Sequence, residues 1–217
     1  MSEHAGHNHG DTEVPDDFWE SFYAERDQIW SGNPNAMLVR EASDLQPGKA
    51  LELGCGEGAD AIWLAVRGWQ VTGVDVSALA LERAAKHAED AGVAEQILWL
   101  KRDLSSWEPE AQYDLVSAQF LHSPIELPRN SILAAAARAV APGGALLVVG
   151  HESFPSWSKH PEPHEPLPTA AELAVELGLK APDWSLETVD SVVRDITGPE
   201  GQIGTLTDSV LLARRTG

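Results

Sequence analysis

Three things are scarce in this chain. There is one cysteine, Cys55, in 217 residues; an intrachain disulfide is therefore excluded, which fits a reducing compartment. Bases are few: 15 Lys and Arg stand against 34 Asp and Glu, a formal net charge of −19. A surface of that sign repels nucleic-acid phosphates and anionic lipid. It suits a small-molecule or cationic partner, or serves solubility alone. Long apolar runs are also missing; none reaches the roughly 18–20 residues needed to cross a bilayer. The amino-terminal MSEHAGHNHGDTEVPDD lacks the basic and apolar regions of a signal peptide. These absences predict a cytoplasmic protein with no membrane and no nucleic-acid partner. They set no expectation for the oligomeric state.

What is present is enough apolar material, 43% of the residues, for a sizeable core. The length favours one principal domain. Residues 1–15 read as a disordered tail carrying His4, His7 and His9. Such a tail is either functionless or a loose metal binder. Residues 16–47 read as a helical lid. It has an amphipathic stretch with Trp19, Tyr23 and Trp30 at helical spacing, a break at SGNPN, and a second helix AMLVREASDL. From residue 48 onwards strands and helices alternate. KALEL, WQVTGVDV, QILWLKRD, YDLVSAQFL and ALLVVG read as strands, with helical patterns following the first, second and fourth. That alternation predicts an α/β, Rossmann-like, doubly wound sheet. The tail differs, since ETVDSVVRDITG and GTLTDSVLLARR flank PEGQI as an antiparallel hairpin. Ahead of the hairpin, residues 151–168 form a Pro- and His-rich loop of the length typical of lids and binding loops.

Between the first strand and its helix lies LGCGEG, with Gly54, Gly56 and Gly58 at alternate positions. Glycines there let the chain turn sharply and let a ligand approach the main chain. Free N–H groups at the following helix start are expected to meet polar ligand atoms. Asp75 ends the second strand about twenty residues on, placed to accept both hydroxyls of a ribose. Together these predict a nucleoside-containing cofactor at the carboxyl ends of the strands. Gly54-x-Gly56-x-x-Ala59 would also fit a dinucleotide, the mark of an NAD-linked oxidoreductase. Glu52 argues otherwise, because a carboxylate there repels a pyrophosphate and attracts an ammonium or a sulfonium.

With LELGCGEG (51–58), VTGVDVS (71–77), RDL (102–104) and YDLVSAQFLH (113–122), the sequence resembles the class I S-adenosylmethionine-dependent methyltransferases. The resemblance implies a seven-stranded sheet of order 3-2-1-4-5-7-6 with the last strand antiparallel, spanning 48–217. It implies S-adenosylmethionine as cofactor. Glu52, Gly54, Cys55 and Gly56 would hold the methionine moiety, Asp75 the ribose, and Val76 the adenine face. Asp103 would accept from the adenine amino group, with Leu104 beside the ring. Gln119 would line the methyl-transfer pocket. The stretch FWESFYAERDQIWSGNPNAML, followed by GADAIWLAVRGWQVTGVDVSALAL, is further similar to bacterial small-molecule methyltransferases of the tellurite-resistance and thiopurine or thiol S-methyltransferase types. In those the amino-terminal helix covers the cofactor, which makes Trp30 the lid residue expected to touch it.

Methyl transfer from a sulfonium is a one-step in-line displacement, so the protein must position a nucleophile and exclude water. A thiolate needs little more, whereas an oxygen or nitrogen acceptor is helped by a base. His122 and His151 follow the fourth and fifth strands at the ligand-binding end and are the candidates for that base. Either could instead only close a loop by hydrogen bonding. His160 and His164 sit on the Pro-rich loop, and no metal is expected. The acceptor expected is a small molecule, with a thiol or other soft nucleophile favoured. A cofactor-binding module without turnover is the remaining alternative.

Overall fold

The computed structural model describes residues 15–157, 167–198 and 200–217. The His-rich tail and the loop histidines His160 and His164 lie outside the described residues. Two short helices come first, α1 (Pro15–Ala24) and α2 (Ala36–Ala42). Asp16 and Asp17 sit in the first turn of α1, where the helix dipole favours acids. The side chain of Asn35 caps α2 by accepting from the Met37 N–H. Then the alternation begins: β1 (Lys49–Leu53), α3 (Ala59–Val66), β2 (Gln70–Asp75), α4 (Ala78–Asp90) and β3 (Ile97–Lys101). It continues with β4 (Tyr113–Gln119), α5 (Arg129–Arg138), β5 (Val140–His151) and α6 (Ala170–Glu176). The chain closes with the hairpin β6 (Trp184–Thr197) and β7 (Ile203–Arg215).

The strands form one sheet of order β3-β2-β1-β4-β5-β7-β6, as the resemblance implies. β1 to β5 pair in parallel, and β7 runs antiparallel to both β5 and β6. Helices cover both faces, and each face has its own apolar core. On one, α2 and α3 contribute Leu38, Ala61 and Leu64 against Leu115, Leu147 and Val149 of the sheet. On the other, α5 and α6 contribute Leu133, Ala136 and Leu173 against Leu51, Val116 and Leu146. This double burial explains the unbroken apolar runs of the central strands.

One expected element is shorter than its pattern. The helical spacing of Trp19, Tyr23 and Trp30 suggests a single helix, but α1 stops at Ala24. Trp30 lies instead on the connection to α2. The backbone N–H groups of Ile29 and Trp30 donate to the Glu57 carboxylate, at 3.2 and 3.1 Å. A helix could not offer both amides to a partner 27 residues away, so this tertiary contact overrides the local periodicity.

Candidate active site

The strand ends meet in a cavity of about 690 Å³, within the range of small-molecule sites. Its floor at one end is the turn after β1. Gly54, Gly56 and Gly58 all take positive φ, at 68°, 51° and 86°. Two of them have no room for a side chain. A Cβ on Gly56 would lie 2.9 Å from the Tyr23 hydroxyl, and one on Gly58 would lie 2.7 Å from the Trp99 ring. The glycines thus bring the amino-terminal segment and the third strand down onto the turn.

The amides of Gly54, Cys55, Gly56 and Gly58 are all bonded; the helix start where free N–H groups are expected lies just beyond them, at Ala59. Gly54 and Cys55 N–H both donate to the Val74 carbonyl, at 2.8 and 3.0 Å. Gly58 N–H donates to Cys55 O at 2.9 Å, and Gly56 N–H to Asp75 Oδ2 at 2.8 Å. The turn needs these bonds to hold its own shape, so at these four positions no N–H cradle for a pyrophosphate remains. That counts against the dinucleotide reading at the turn itself.

Asp75 is 8% exposed and lines the cavity. Burial raises its carboxyl above the ordinary value, while N–H groups of Ser77, Gly56 and Val76 pull it back. Those three bonds leave acceptor capacity on the carboxylate for a hydroxyl in the cavity. Val76, Asp103 and Leu104 line the same end. Asp103 is steadied by the Ser105 N–H at 2.8 Å. Cys55 also lines the cavity, and burial pushes its thiol well up, so it is not a thiolate nucleophile. Gln119, at the end of β4, donates through Nε2 to Ser117 Oγ at 2.8 Å. Its buried Oε1 has no partner among the described residues. An unmatched acceptor in a cavity wall fits a ligand that brings a donor, as an amino acid ammonium does.

Glu52 is corrected by one layer. It is 1% exposed and is absent from the cavity lining. Along β1 its partner in register is Ser117 of β4, and its Oε2 is unpartnered among the described residues. Burial, then the neighbouring Asp60, raises its carboxyl well above the usual range. The carboxylate that reaches the wall is Asp60, in the first turn of α3. It accepts from Asn35 N–H at 2.6 Å, and burial lifts it to about 6. The sequence reading passed over Asp60; its place on the first turn of the helix after the glycines was the available signal.

The connection between α1 and α2 is held from the turn itself. Glu57, 5% exposed, takes the Ile29 and Trp30 amides and an ion pair from Arg83 at 2.9 Å. Trp30 lines the cavity, and its indole N–H donates to the Tyr23 hydroxyl at 3.1 Å. Glu20 of α1 accepts from Ser77 Oγ at 2.8 Å and from Leu79 N–H at 3.2 Å, tying α1 to the start of α4.

The two histidines lie together but differ in chemistry. Their rings stack 5.3 Å apart and nearly parallel. His122 lines the cavity. The backbone N–H of His151 donates to His122 Nε2 at 3.0 Å, so the lone pair a base would use is taken. Burial and the nearby Arg129 charge lower His122 to about 4. His122 is therefore a neutral structural link rather than the expected base. His151 donates from Nδ1 to Asp208 Oδ1 at 2.9 Å. Its ring packs 4.5 Å from Phe120, yet His151 itself stands outside the cavity lining. Asp208 and Arg194, from the hairpin, do line it and were not singled out from the sequence.

Residues 50–144 match the family model described as a methyltransferase domain. The chain is 32% identical over 101 residues to "Probable thiol methyltransferase 2" of Arabidopsis thaliana, covering 45% of each. It spans about half the length of the curated relatives it matches. A solved structure described as "Conversion of a Disulfide Bond into a Thioacetal Group during Echinomycin Biosynthesis" is 25% identical, covers 92% of both chains and has a TM-score of 0.67. TehB from Haemophilus influenzae has a TM-score of 0.70 over 91% of this chain and 67% of its own; at 20% identity it speaks for the fold. With its methyltransferase-domain match, its sheet order and its glycine turn, the chain is similar to the class I S-adenosylmethionine-dependent methyltransferases. The cofactor of that class is S-adenosylmethionine.

Proposed function

We propose that this protein transfers the methyl group of S-adenosylmethionine to a small-molecule acceptor, with a thiol or similar soft nucleophile favoured. The observation that carries the reading is a single cavity running from Asp75 and Asp103 to Gln119, Phe120 and Leu127. When bound, the cofactor supplies an electrophilic methyl on a positively charged sulfur. Asp75 would hold the ribose, Asp103 and Leu104 the adenine, and Gln119 Oε1 the ammonium. Asp60 would supply the negative field. Residues 16–47 would act as a lid, with Trp30 and Tyr23 excluding water above the glycine turn.

The preference for a soft acceptor has a physical basis. At the acceptor end, His122 has no free lone pair, and His151 stands outside the lining. At that end an alcohol or ammonium acceptor would find no free imidazole base among the described lining residues, whereas a thiol ionises without strong help. The similarity to a thiol methyltransferase supports the same choice. A cytoplasmic site of action fits the lone Cys55, and the acidic balance disfavours nucleic acid as acceptor.

Calorimetric titration with S-adenosylmethionine and its demethylated product tests the cofactor. Mass spectrometry of products over thiols, phenols, amines and carboxylates tests the acceptor. Micromolar cofactor binding and methylated thiols are expected. No heat at millimolar cofactor would defeat the reading, and methylation of oxygen acceptors alone would defeat the thiol preference.

A further inference from the structure

The cavity is divided by charge along the sheet. Over β3, β2 and β1 its charged lining residues include Glu57, Asp60, Asp75 and Asp103. These are all acids, in keeping with a cationic cofactor. Over β5, β7 and β6 it gains Arg194, the one Lys or Arg among the described lining residues. Arg194 sits on β6, and its Nε donates to Asp208 Oδ2 at 2.6 Å. Asp208 is only 2% exposed and also accepts from His151. Burial pushes the Asp208 carboxyl up, but the bonds from His151 and Arg194 outweigh this and leave it below its ordinary value. Asp208 is thus a charged, fully engaged anchor. It fixes the guanidinium by its Nε edge and leaves the fork of terminal nitrogens without a partner among the described residues. The other carboxylate at this end is Glu126, exposed on the loop after β4. Arg129, half-buried beneath the same loop, adds positive charge close enough to depress His122.

Resting on the methyltransferase reading above, we propose that the acceptor carries a carboxylate or similar anionic group besides its nucleophilic atom, and that Arg194, oriented by Asp208, binds that group. A guanidinium with its fork free matches a carboxylate in two parallel bonds. A chain of net charge −19 repels small anions in general, so an arginine held by a buried carboxylate in this one wall provides local selection. The nucleophile would then be oriented from its far end, with the acidic and basic ends of the cavity matched to the two reactants.

The test uses a pair of acceptors of equal shape, 3-mercaptopropionate and its neutral amide, with saturating S-adenosylmethionine. The wild-type kcat/KM is expected to favour the anion by about tenfold or more, as one charge-assisted contact allows. Because Arg194→Gln alone strands a buried carboxylate, the variant is Arg194→Gln with Asp208→Asn; Arg194→Lys serves as a charge-keeping companion. The ratio should fall to near one in the double variant and lie between in Arg194→Lys. Binding of the demethylated cofactor product, measured in each variant, reports that the cofactor end is intact. Should neither thiol be methylated, titration of the product-loaded protein with the same two compounds decides the matter by the same ratio. A wild-type ratio near one, or a preference that survives the double variant, overturns the inference. Absence of cofactor binding in the wild type overturns the methyltransferase reading instead.

Discussion

Replacing Glu57 by glutamine tests how the connection between α1 and α2 is held. The carboxylate takes four contacts from donors: Ile29 N–H on both oxygens, Trp30 N–H on Oε2, and Arg83 Nη1 on Oε1. Glutamine keeps the shape but turns one oxygen into a donor. Set one way, its NH2 faces the Arg83 guanidinium; set the other, it faces the Trp30 amide. Either arrangement leaves a buried donor against a donor, at a cost of about 1–3 kcal/mol. The strands beneath are untouched, so the cost falls on local opening of residues 25–35 rather than on global unfolding. About 2 kcal/mol corresponds to a roughly 30-fold rise in the open population. Amide hydrogen exchange reads it directly, because the Ile29 and Trp30 amides are the donors in question. Core amides such as that of Val116 provide the internal reference. Exchange at Ile29 and Trp30 within twofold of wild type would refute the claim that Glu57 clamps the α1–α2 connection to the glycine turn.

Asp75→Asn should weaken binding of S-adenosylmethionine by about 10–100-fold in calorimetry, since an amide cannot accept from Gly56, Val76 and Ser77 and also from a ribose hydroxyl without opposing donors. The pH dependence of stability should carry a signature from His122. Its folded value of about 4 lies below the ordinary 6.5. Its contribution is therefore complete above about pH 6.5 and is lost as the pH falls towards 4, where the unfolded chain binds the proton first. Asp60, raised to about 6, acts with the opposite sign over roughly pH 6 to 4. The difference between wild type and His122→Gln therefore isolates the histidine. Wild type should lose more melting temperature than the variant between pH 7 and 4.5, and equal losses would refute the buried neutral assignment.

The parts of this protein legible in its sequence are those decided by short-range geometry. β1 is bounded by Gly48 and Gly54, and β2 by Gly68 and Ser77, so period and punctuation agree with the sheet that forms. Asp75, Val76, Asp103, Leu104 and Gln119 reach the cavity because they lie at or just past the carboxyl ends of strands, where a sheet of this kind opens its ligand crevice. Trp30 reaches it too, but from a connection rather than a helix. Its position depends on Glu57, 27 residues away, and no helical period encodes that.

The less legible parts depend on which partner occupies a lone pair or a charge. Glu52 and Asp60 belong to one stretch of chain, and nothing in their spacing tells which faces the ligand. The decision falls to the pleat of β1, which sets Glu52 beside Ser117, and to the first turn of α3, which turns Asp60 outward to the wall. His122 and His151 look equivalent at the ends of β4 and β5. One backbone amide separates them, because the bond from His151 N–H to His122 Nε2 closes the first ring to proton transfer, while Asp208 orients the second. Asp208 and Arg194 in turn look like ordinary polar positions of a long hairpin. Their register brings Arg194 opposite Leu206 and Asp208 opposite both Val192 and His151, so both side chains gather on the face where β5 ends. A charge buried at that point requires a partner, and the partner it has leaves one cationic edge open to the cavity. The hairpin, which by sequence only closes the sheet, thereby supplies part of the cavity wall.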